Sequence, residues 1–150
     1  MARFSAGVLT SAGTSLRPMI SIYSAAASAG TLREVGCFNT TATAVAVFLT
    51  RVTTVGTQGS DLTEARYNMK GPPALCTVVG THSADVALGE DLGYRAQLGA
   101  AVGSGIIWTF GDAGLVIGAA DAAEATTNGI ALILENGTGQ PLQAYLVWDE

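Results

Sequence analysis

Short runs of apolar residues alternate with turn residues along the whole chain. The runs 19–23 and 106–110 are examples, and glycine, serine, asparagine or proline interrupts the sequence between one run and the next. This spacing is typical of antiparallel β-proteins, because α/β-proteins place longer helical segments between their strands. The pattern predicts nine or ten strands and no long helix. We therefore expect a single all-β domain over residues 1–150, an antiparallel β-sandwich with jelly-roll-like topology.

The turn residues also predict which strands are neighbours. Strands 32–38 and 44–52 are separated only by a short turn at Asn39-Thr-Thr, which predicts a hairpin. A second hairpin is predicted for 130–134 and 142–148, because Asn136-Gly137 is a hairpin-turn signal. The other predicted strands are 4–9, 19–23, 75–79, 106–110 and 114–117, with 94–102 ambiguous and 81–93 a polar loop.

Strand 44–52 has no polar face. Val47 and Leu49 fall on one side of the predicted strand, and Ala46 and Phe48 fall on the other. Such a strand lies either at the centre of a packed sheet or in an interface between subunits. The sequence leaves both alternatives open.

Residues 53–73 have the weakest pattern and are predicted to form one long loop. Glycines and the Pro72-Pro73 pair interrupt this segment. Within it, Asp61-Leu-Thr-Glu64 has the N-cap and N3 residues of a helix of one to two turns. Loops of this length are usually functional or form interfaces. The alanine-rich stretch 119–127 predicts either a helical turn or a loop.

Composition narrows the class of protein. Charged residues make up 13% of the chain, about half of the usual ~25%, whereas 49% are hydrophobic and the mean hydropathy is +0.39. Intrinsic disorder requires the opposite balance, and no apolar run reaches the ~18 residues of a membrane helix. A net charge of -5 argues against direct nucleic-acid binding. A surface with so few charges is better suited to being covered by partners than to being solvated alone.

The few charges are unevenly distributed along the chain. Residues 1–80 carry a net charge of +3, and residues 81–150 carry -8. Either the two parts interleave in the fold, or they create a dipolar surface that docks on a charged partner. For the second case, the candidate contacts with an acidic partner are Arg3, Arg17, Arg66 and Lys70.

Side chains that carry chemistry are scarce. His82 is the only histidine, and its polar neighbours Ser83 and Asp85 predict a solvated loop histidine rather than a catalytic base, because triad members usually come from separate elements. Cys37 and Cys76 lack metal-ligand spacing, so buried free thiols are predicted, with one disulfide as the alternative. We therefore expect no enzyme activity, catalytic residues, metal or cofactor.

Four stretches of the sequence resemble small virion proteins of tailed bacteriophages. They are LREVGCFNTTATAVAVFLTRVTTVGT at 32–57, LGYR at 92–95, GSGIIWTFG at 103–111 and YLVWDE at 145–150. The resemblance implies a capsid decoration (cement) protein on the virion surface, made in the host cytoplasm. It implies homo-oligomers, with trimers favoured, that bind the major capsid protein and stabilise the shell. The resemblance carries no functional residues.

An alternative within the same resemblance is a head-fibre or tail accessory protein. Its β-sandwich would bind carbohydrate or another group of the host surface. Such a site requires exposed aromatic side chains. Trp108 and Trp148 occur at strand periodicity and are predicted to lie in the core, so their exposure distinguishes the two hypotheses.

Overall fold

A computed structural model of the chain describes residues 1–54, 59–135 and 139–150, except for the side chain of Thr126. Two antiparallel sheets pack face to face as a β-sandwich, which confirms the predicted all-β class. The described part holds one 3₁₀ turn, Glu124–Thr126, within the predicted stretch 119–127. Its twelve strands are β1 (Arg3–Leu9), β2 (Ile20–Tyr23), β3 (Ser28–Asn39), β4 (Val45–Val52), β5 (Ser60–Asp61), β6 (Ala65–Arg66), β7 (Thr77–Gly80), β8 (Leu88–Leu98), β9 (Gly105–Thr109), β10 (Leu115–Ala119), β11 (Gly129–Leu134) and β12 (Leu142–Asp149).

The chain alternates between the two sheets. Sheet I has the order β10-β3-β12-β1-β6, and β9 also pairs with β3, beyond the end of β10. Sheet II has the order β5-β7-β2-β11-β4-β8. Every strand pairing is antiparallel. A jelly-roll arrangement of the connections stays a prediction.

The main core lies between the two sheets. Alternate residues of each strand point inward, so that Phe4 of β1, Leu49 of β4 and Trp148 of β12 join one apolar cluster. The rings of Phe4 and Trp148 stack with their centroids 5.7 Å apart. Aromatic pairs of this kind contribute about 0.5–1.5 kcal/mol beyond the burial of their area. The core therefore fixes which face of each strand remains for the outside of the sandwich.

Both predicted hairpins are wrong. β3 belongs to sheet I and β4 to sheet II, and β11 and β12 are divided in the same way. The chain crosses between the sheets at residues 40–44, where the Asn39 side chain donates hydrogen bonds to the carbonyls of Thr43 and Gly99. Packed sheets lie about 10 Å apart, which a few residues can span. The Asn136-Gly137 turn itself lies outside the described residues.

Two local predictions also fail because edge strands form instead. Asp61–Glu64 is not helical: Asp61 pairs with Val79 in sheet II, and the amide of Leu62 donates to the carbonyl of Val78. The predicted polar loop 81–93 is a strand from Leu88 onward. This strand, β8, is an edge of sheet II, and an edge strand tolerates polar side chains because one of its sides faces solvent.

Candidate functional site

The outer face of sheet II is covered by the chain itself. A second apolar cluster lies on this face, formed by Tyr23, Phe48, Val79, Ile133 and their neighbours. Residues 81–87, here called the covering segment, contribute Val86 to that cluster. On the same face the guanidinium of Arg95 lies 4.9 Å from the ring centroid of Phe48. Both faces of β4 and β11 are therefore buried within one copy of the chain.

Hydrogen bonds hold the covering segment in place. The amide of Thr53 donates to the carbonyl of Ala87 over 2.9 Å, and the amide of Ala87 donates to Thr54 Oγ1 over 2.9 Å. The amide of Val86 donates to the carbonyl of Leu16. These bonds tie the covering segment to the end of β4 and to the loop before β2.

His82 anchors the covering segment to β2. Its Nε2 lies 2.7 Å from Ser21 Oγ, and the side chain is 3% exposed, so the prediction of a solvated loop histidine is wrong. Burial lowers the pKa of His82 to about 4, because it penalises the charged imidazolium. Its Nδ1 is buried without a hydrogen-bond partner. The sequence placed His82 in a polar stretch, and only the lone apolar Val86 signals that this stretch has a buried side.

The Ser21–His82 pair contains a hydroxyl and an imidazole, as in a nucleophile–base pair, but it lacks solvent access and an orienting carboxylate. Ser21 is fully buried, and no carboxylate accepts a hydrogen bond from His82 Nδ1. A substrate would have to displace the covering segment to reach the serine. The pair instead fastens this segment to the sheet. In the described ranges no group of three or more His, Cys, Asp or Glu side chains is arranged to hold a metal.

The outer face of sheet I, here called the open face, is covered less completely by the described part of the chain, although Val147 in one of its outward rows is 9% exposed. Its apolar side chains include Leu9, Ile107 and Val116, which are 54%, 50% and 55% exposed. The strand registers place the outward residues in rows across the sheet, namely Leu9, Gln143, Phe38 and Gly105 in one row, Gly7, Tyr145, Gly36 and Ile107 in the next, and Ser5, Val147, Glu34 and Thr109 in a third.

Tyr145 lies flat across the middle of the open face. A Cβ atom on Gly36 would fall 2.1 Å from Cε1 of the Tyr145 ring, so the ring occupies the space above that glycine. The Tyr145 hydroxyl donates to Glu34 Oε1 over 2.6 Å. Loss of hydration and the neighbouring Glu34 carboxylate raise the pKa of Tyr145 to about 12. The centre of the open face is therefore low and formally carries only one charge, that of Glu34.

One end of the open face carries a cluster of ion pairs. Arg3 binds Asp149 through two hydrogen bonds of 2.7 and 2.9 Å, and Arg33 Nε donates to Asp149 Oδ2 over 2.7 Å. The hydrogen bond from Arg3, followed by that from Arg33, lowers the pKa of the Asp149 carboxyl. The basic first part of the chain thus pairs with the acidic second part inside one fold, which is the interleaved alternative.

The four candidate contacts with an acidic partner fall into two groups. Arg3 is paired with Asp149, and Arg17 Nε lies 3.5 Å from Asp85. Arg66 and Lys70 are exposed in the segment between β5 and β7, where Arg66 donates to the carbonyl of Gly71. Arg66 pairs with Phe4 beside Arg3, and its bond to Gly71 places it near the turn that contains Lys70.

That segment also lines two adjoining grooves. Glu150 pins it, since its carboxylate accepts hydrogen bonds from the amides of Leu75 and Cys76 and from Trp148 Nε1. A groove of about 490 Å³ lies between the segment and the first residues of β1, lined by Arg3, Tyr67 and Pro72 among others. An adjoining apolar groove of about 240 Å³ lies beside Pro73 and Leu75. The chemistry of these grooves is mostly apolar.

The remaining candidate side chains point inward. Trp148 is fully buried and Trp108 is 9% exposed, as predicted. Cys37 and Cys76 are buried free thiols, and the alternative of a disulfide is not observed. Burial raises the pKa of Cys37 to about 12 and also raises that of Cys76. Both thiols are therefore poor nucleophiles at neutral pH.

Comparisons with protein-family models, with curated proteins and with solved structures found no match to this chain. In the described ranges no helix is long and apolar enough to cross a membrane.

Proposed function

We propose that the chain is a structural subunit of a bacteriophage virion, most simply a capsid decoration protein. In this role it binds copies of itself and the major capsid protein, and it stabilises the shell. The observation that carries the proposal is the open face, a whole sheet surface with exposed apolar side chains and paired charges. Such a surface is suited to packing against protein.

The composition of the open face supports this role. Charged groups are depleted at the cores of protein interfaces, whereas aromatic residues and arginine are enriched there. The middle of the open face offers Tyr145, Phe38 and Ile107, and its arginines Arg3 and Arg33 lie at one end beside Asp149. A structural subunit needs area and complementarity, and this face supplies both.

The positions of the reactive side chains support the same role. His82, Cys37 and Cys76 are all buried, and each contributes to packing instead of lining a groove. The alternative of a carbohydrate-binding fibre protein gains no support from the tryptophans, because both lie in the core. The decoration role is therefore the better supported of the two hypotheses.

Binding to purified shells tests the proposal. Shells of the phage that encodes this chain, prepared without the protein, are mixed with purified chain and sedimented. We expect the chain to co-sediment at saturating stoichiometry and to raise the temperature at which the shells break. A stable protein that remains in the supernatant at all concentrations would refute the decoration role.

Within this proposal, Arg66 and Lys70 contact an acidic patch of the shell. Both side chains are exposed, and no acidic partner is described for either of them. The double variant Arg66→Ala/Lys70→Ala should weaken shell binding and reduce its dependence on salt, because fewer charges are then paired. The matched control is Arg95→Ala, which removes one cation from the other sheet edge and should leave the salt dependence unchanged.

A further inference from the structure

We infer that the open face is the surface through which two copies of this chain pair, sheet against sheet, around a two-fold axis. The inference rests on the proposed function, since it names one partner and one surface of the structural subunit. The rows of outward residues carry it, together with the charge balance and the size of the face. The occupant is a second copy, and the capsid protein then binds elsewhere on the pair.

The charges of the open face favour a second copy as its occupant. The open face carries two cations, Arg3 and Arg33, and two acids, Glu34 and Asp149. Its formal charge is therefore zero, and Asp149 already binds both arginines. A strongly acidic or basic partner would gain little here, whereas an identical face meets no net repulsion. A two-fold contact requires such self-complementarity, because the same patch serves both partners.

The area of the open face also fits a contact between two copies. Sheet I presents five columns of strands, with β9 and β10 sharing one edge column. At about 4.8 Å between strands and about 3.4 Å per residue, five columns and the length of β12 give a face of about 24 by 27 Å. Its plane area of about 650 Å² is close to the ~800 Å² that each partner buries in a standard interface.

The shape of the open face allows close approach of a second sheet. The middle row holds two glycines, Gly7 and Gly36, and the Tyr145 ring lies flat over Gly36. A groove of about 310 Å³ lies on the Gly7 side of this ring, lined by Leu9, Phe38 and Tyr145 among others. At the β9 end of the same row, Ile107 is 50% exposed. A groove beside an exposed apolar side chain lets a twisted copy of the same sheet approach closely.

The outer face of sheet II, unlike the open face, is covered by the chain itself. There the chain uses residues 81–87 to cover the apolar outer side chains, so one copy buries that face without help. On sheet I, Val147 is 9% exposed, but Leu9, Ile107 and Val116 remain about half exposed within the described residues. A second copy supplies further cover for this face and leaves the apolar groove beside Pro73 and Leu75 free for the shell.

The test is the mass of the free protein in solution. Sedimentation velocity and light scattering of the wild type should give a dimer in the micromolar range. Ile107→Asp and Val116→Asp each place a charge on the open face at a side chain that is half exposed, so the fold should survive. Each is expected to raise the dissociation constant at least tenfold. Leu16→Asp is the matched control, because Leu16 is 45% exposed and lies beside Val86 on the sheet II side, so its variant should stay dimeric.

The outcomes separate this inference from the proposed function. A wild type that is monomeric at every concentration, or trimeric with a mass unaffected by both aspartate variants, would overturn the face-to-face pair. Such a protein would still be a decoration protein if it bound shells. Conversely, a dimer that dissociates with Ile107→Asp and Val116→Asp but never binds shells would support the pairing and refute the decoration role. Circular dichroism and urea unfolding of each variant verify that the fold is intact.

Discussion

The two outer faces of this sandwich differ in how far their apolar side chains are buried. On sheet II, Ile133 and Val79 are fully buried under the covering segment and its neighbours. On sheet I, Ile107 and Leu9 stand half exposed. Both faces are apolar in sequence, and both belong to sheets that share one core. One outer face is therefore completed by a segment of the same chain, whereas the other keeps half-exposed apolar side chains, which we propose a second copy covers.

The two outer faces also differ in what their polar side chains bind. The covered face has a buried His82–Ser21 hydrogen bond, which holds a loop down on the sheet. The open face has its polar contacts in the plane of the sheet, between Arg3, Asp149 and Arg33 and between Tyr145 and Glu34. In-plane contacts neutralise charge without adding height. The charges of the open face are thus paired within the sheet, whereas the His82–Ser21 bond holds a loop over the covered face.

The largest expected difference between the faces is in stability. Ile133→Ala should lower the free energy of unfolding by about 2–5 kcal/mol, because the lost methyl groups leave a cavity in a packed cluster. The matched variant Ile107→Ala removes the same atoms from a half-exposed site and should cost less than about 1 kcal/mol. Urea unfolding at low protein concentration, where any pairing of copies is absent, measures both. Equal losses would mean that the two faces are not different.

The second prediction concerns acid. His82 has its pKa lowered to about 4 by burial, against an ordinary value of 6.5, so the unfolded chain binds the proton first as the pH falls. The stability contributed by neutral His82 is full above pH 6.5 and is lost progressively between about 6.5 and 4. The loss is at most about 3 kcal/mol, from 1.36 kcal/mol per pKa unit.

A glutamine at position 82 provides the control for that pH dependence. Its amide can meet Ser21 without a titrating group, so His82→Gln should flatten the unfolding free energy between pH 6.5 and 4 while leaving a folded protein. Urea titrations at several pH values measure the slope. A wild-type slope that persists unchanged in His82→Gln would show that another group, and not the anchor of the covering segment, responds to acid.

The sequence predicted the class of fold and much of the core, because these follow from short-range patterns. The core positions predicted for Trp108 and Trp148 from strand periodicity are confirmed. The two apolar faces of strand 44–52 were recognised too, and the alternative of a central strand in a packed sheet is the one observed.

Sheet membership was not predictable in the same way. Strands 32–38 and 44–52 are adjacent in sequence and were predicted to form a hairpin. Which strands pair depends instead on burial against residues that are distant in sequence. β3 pairs with β12, whose residues lie about a hundred positions away in sequence, and β4 pairs with β11. The covering segment was missed for a related reason. Thr81-His-Ser-Ala-Asp is polar in composition, and only contact with the outer face of β2 buries His82.

The third prediction tests the ion pairs of the open face. Asp149→Asn should lower the free energy of unfolding by about 1 kcal/mol, since charge-assisted hydrogen bonds are lost and part of the site is exposed to solvent. The pKa of Asp149 is lowered from 3.8, chiefly by the hydrogen bond from Arg3. Its contribution is therefore present above pH 3.8 and is lost below it, outside the range in which His82 acts.

Urea unfolding at pH 7 and pH 3 measures this effect. The difference between wild type and Asp149→Asn should shrink at pH 3, where the carboxylate begins to take up a proton. Glu135→Gln serves as the control, because Glu135 also binds an arginine, Arg95, but lies away from the open face and is exposed. A loss at Glu135 as large as that at Asp149 would show that the buried carboxylate of the open face has no special role.

The smallest expected effects distinguish the hydroxyl of Tyr145 from its ring. Tyr145→Phe removes the bond to Glu34 but keeps the ring above Gly36, so stability should fall by no more than about 0.5–1.5 kcal/mol and pairing of copies should persist. Gly36→Ala forces the ring aside, because the added Cβ would lie 2.1 Å from Cε1. This variant should weaken pairing more than Tyr145→Phe does, because it raises the centre of the face. Sedimentation velocity of the two variants compares them. If Gly36→Ala pairs as tightly as wild type, the low centre of the open face is not what brings two copies together.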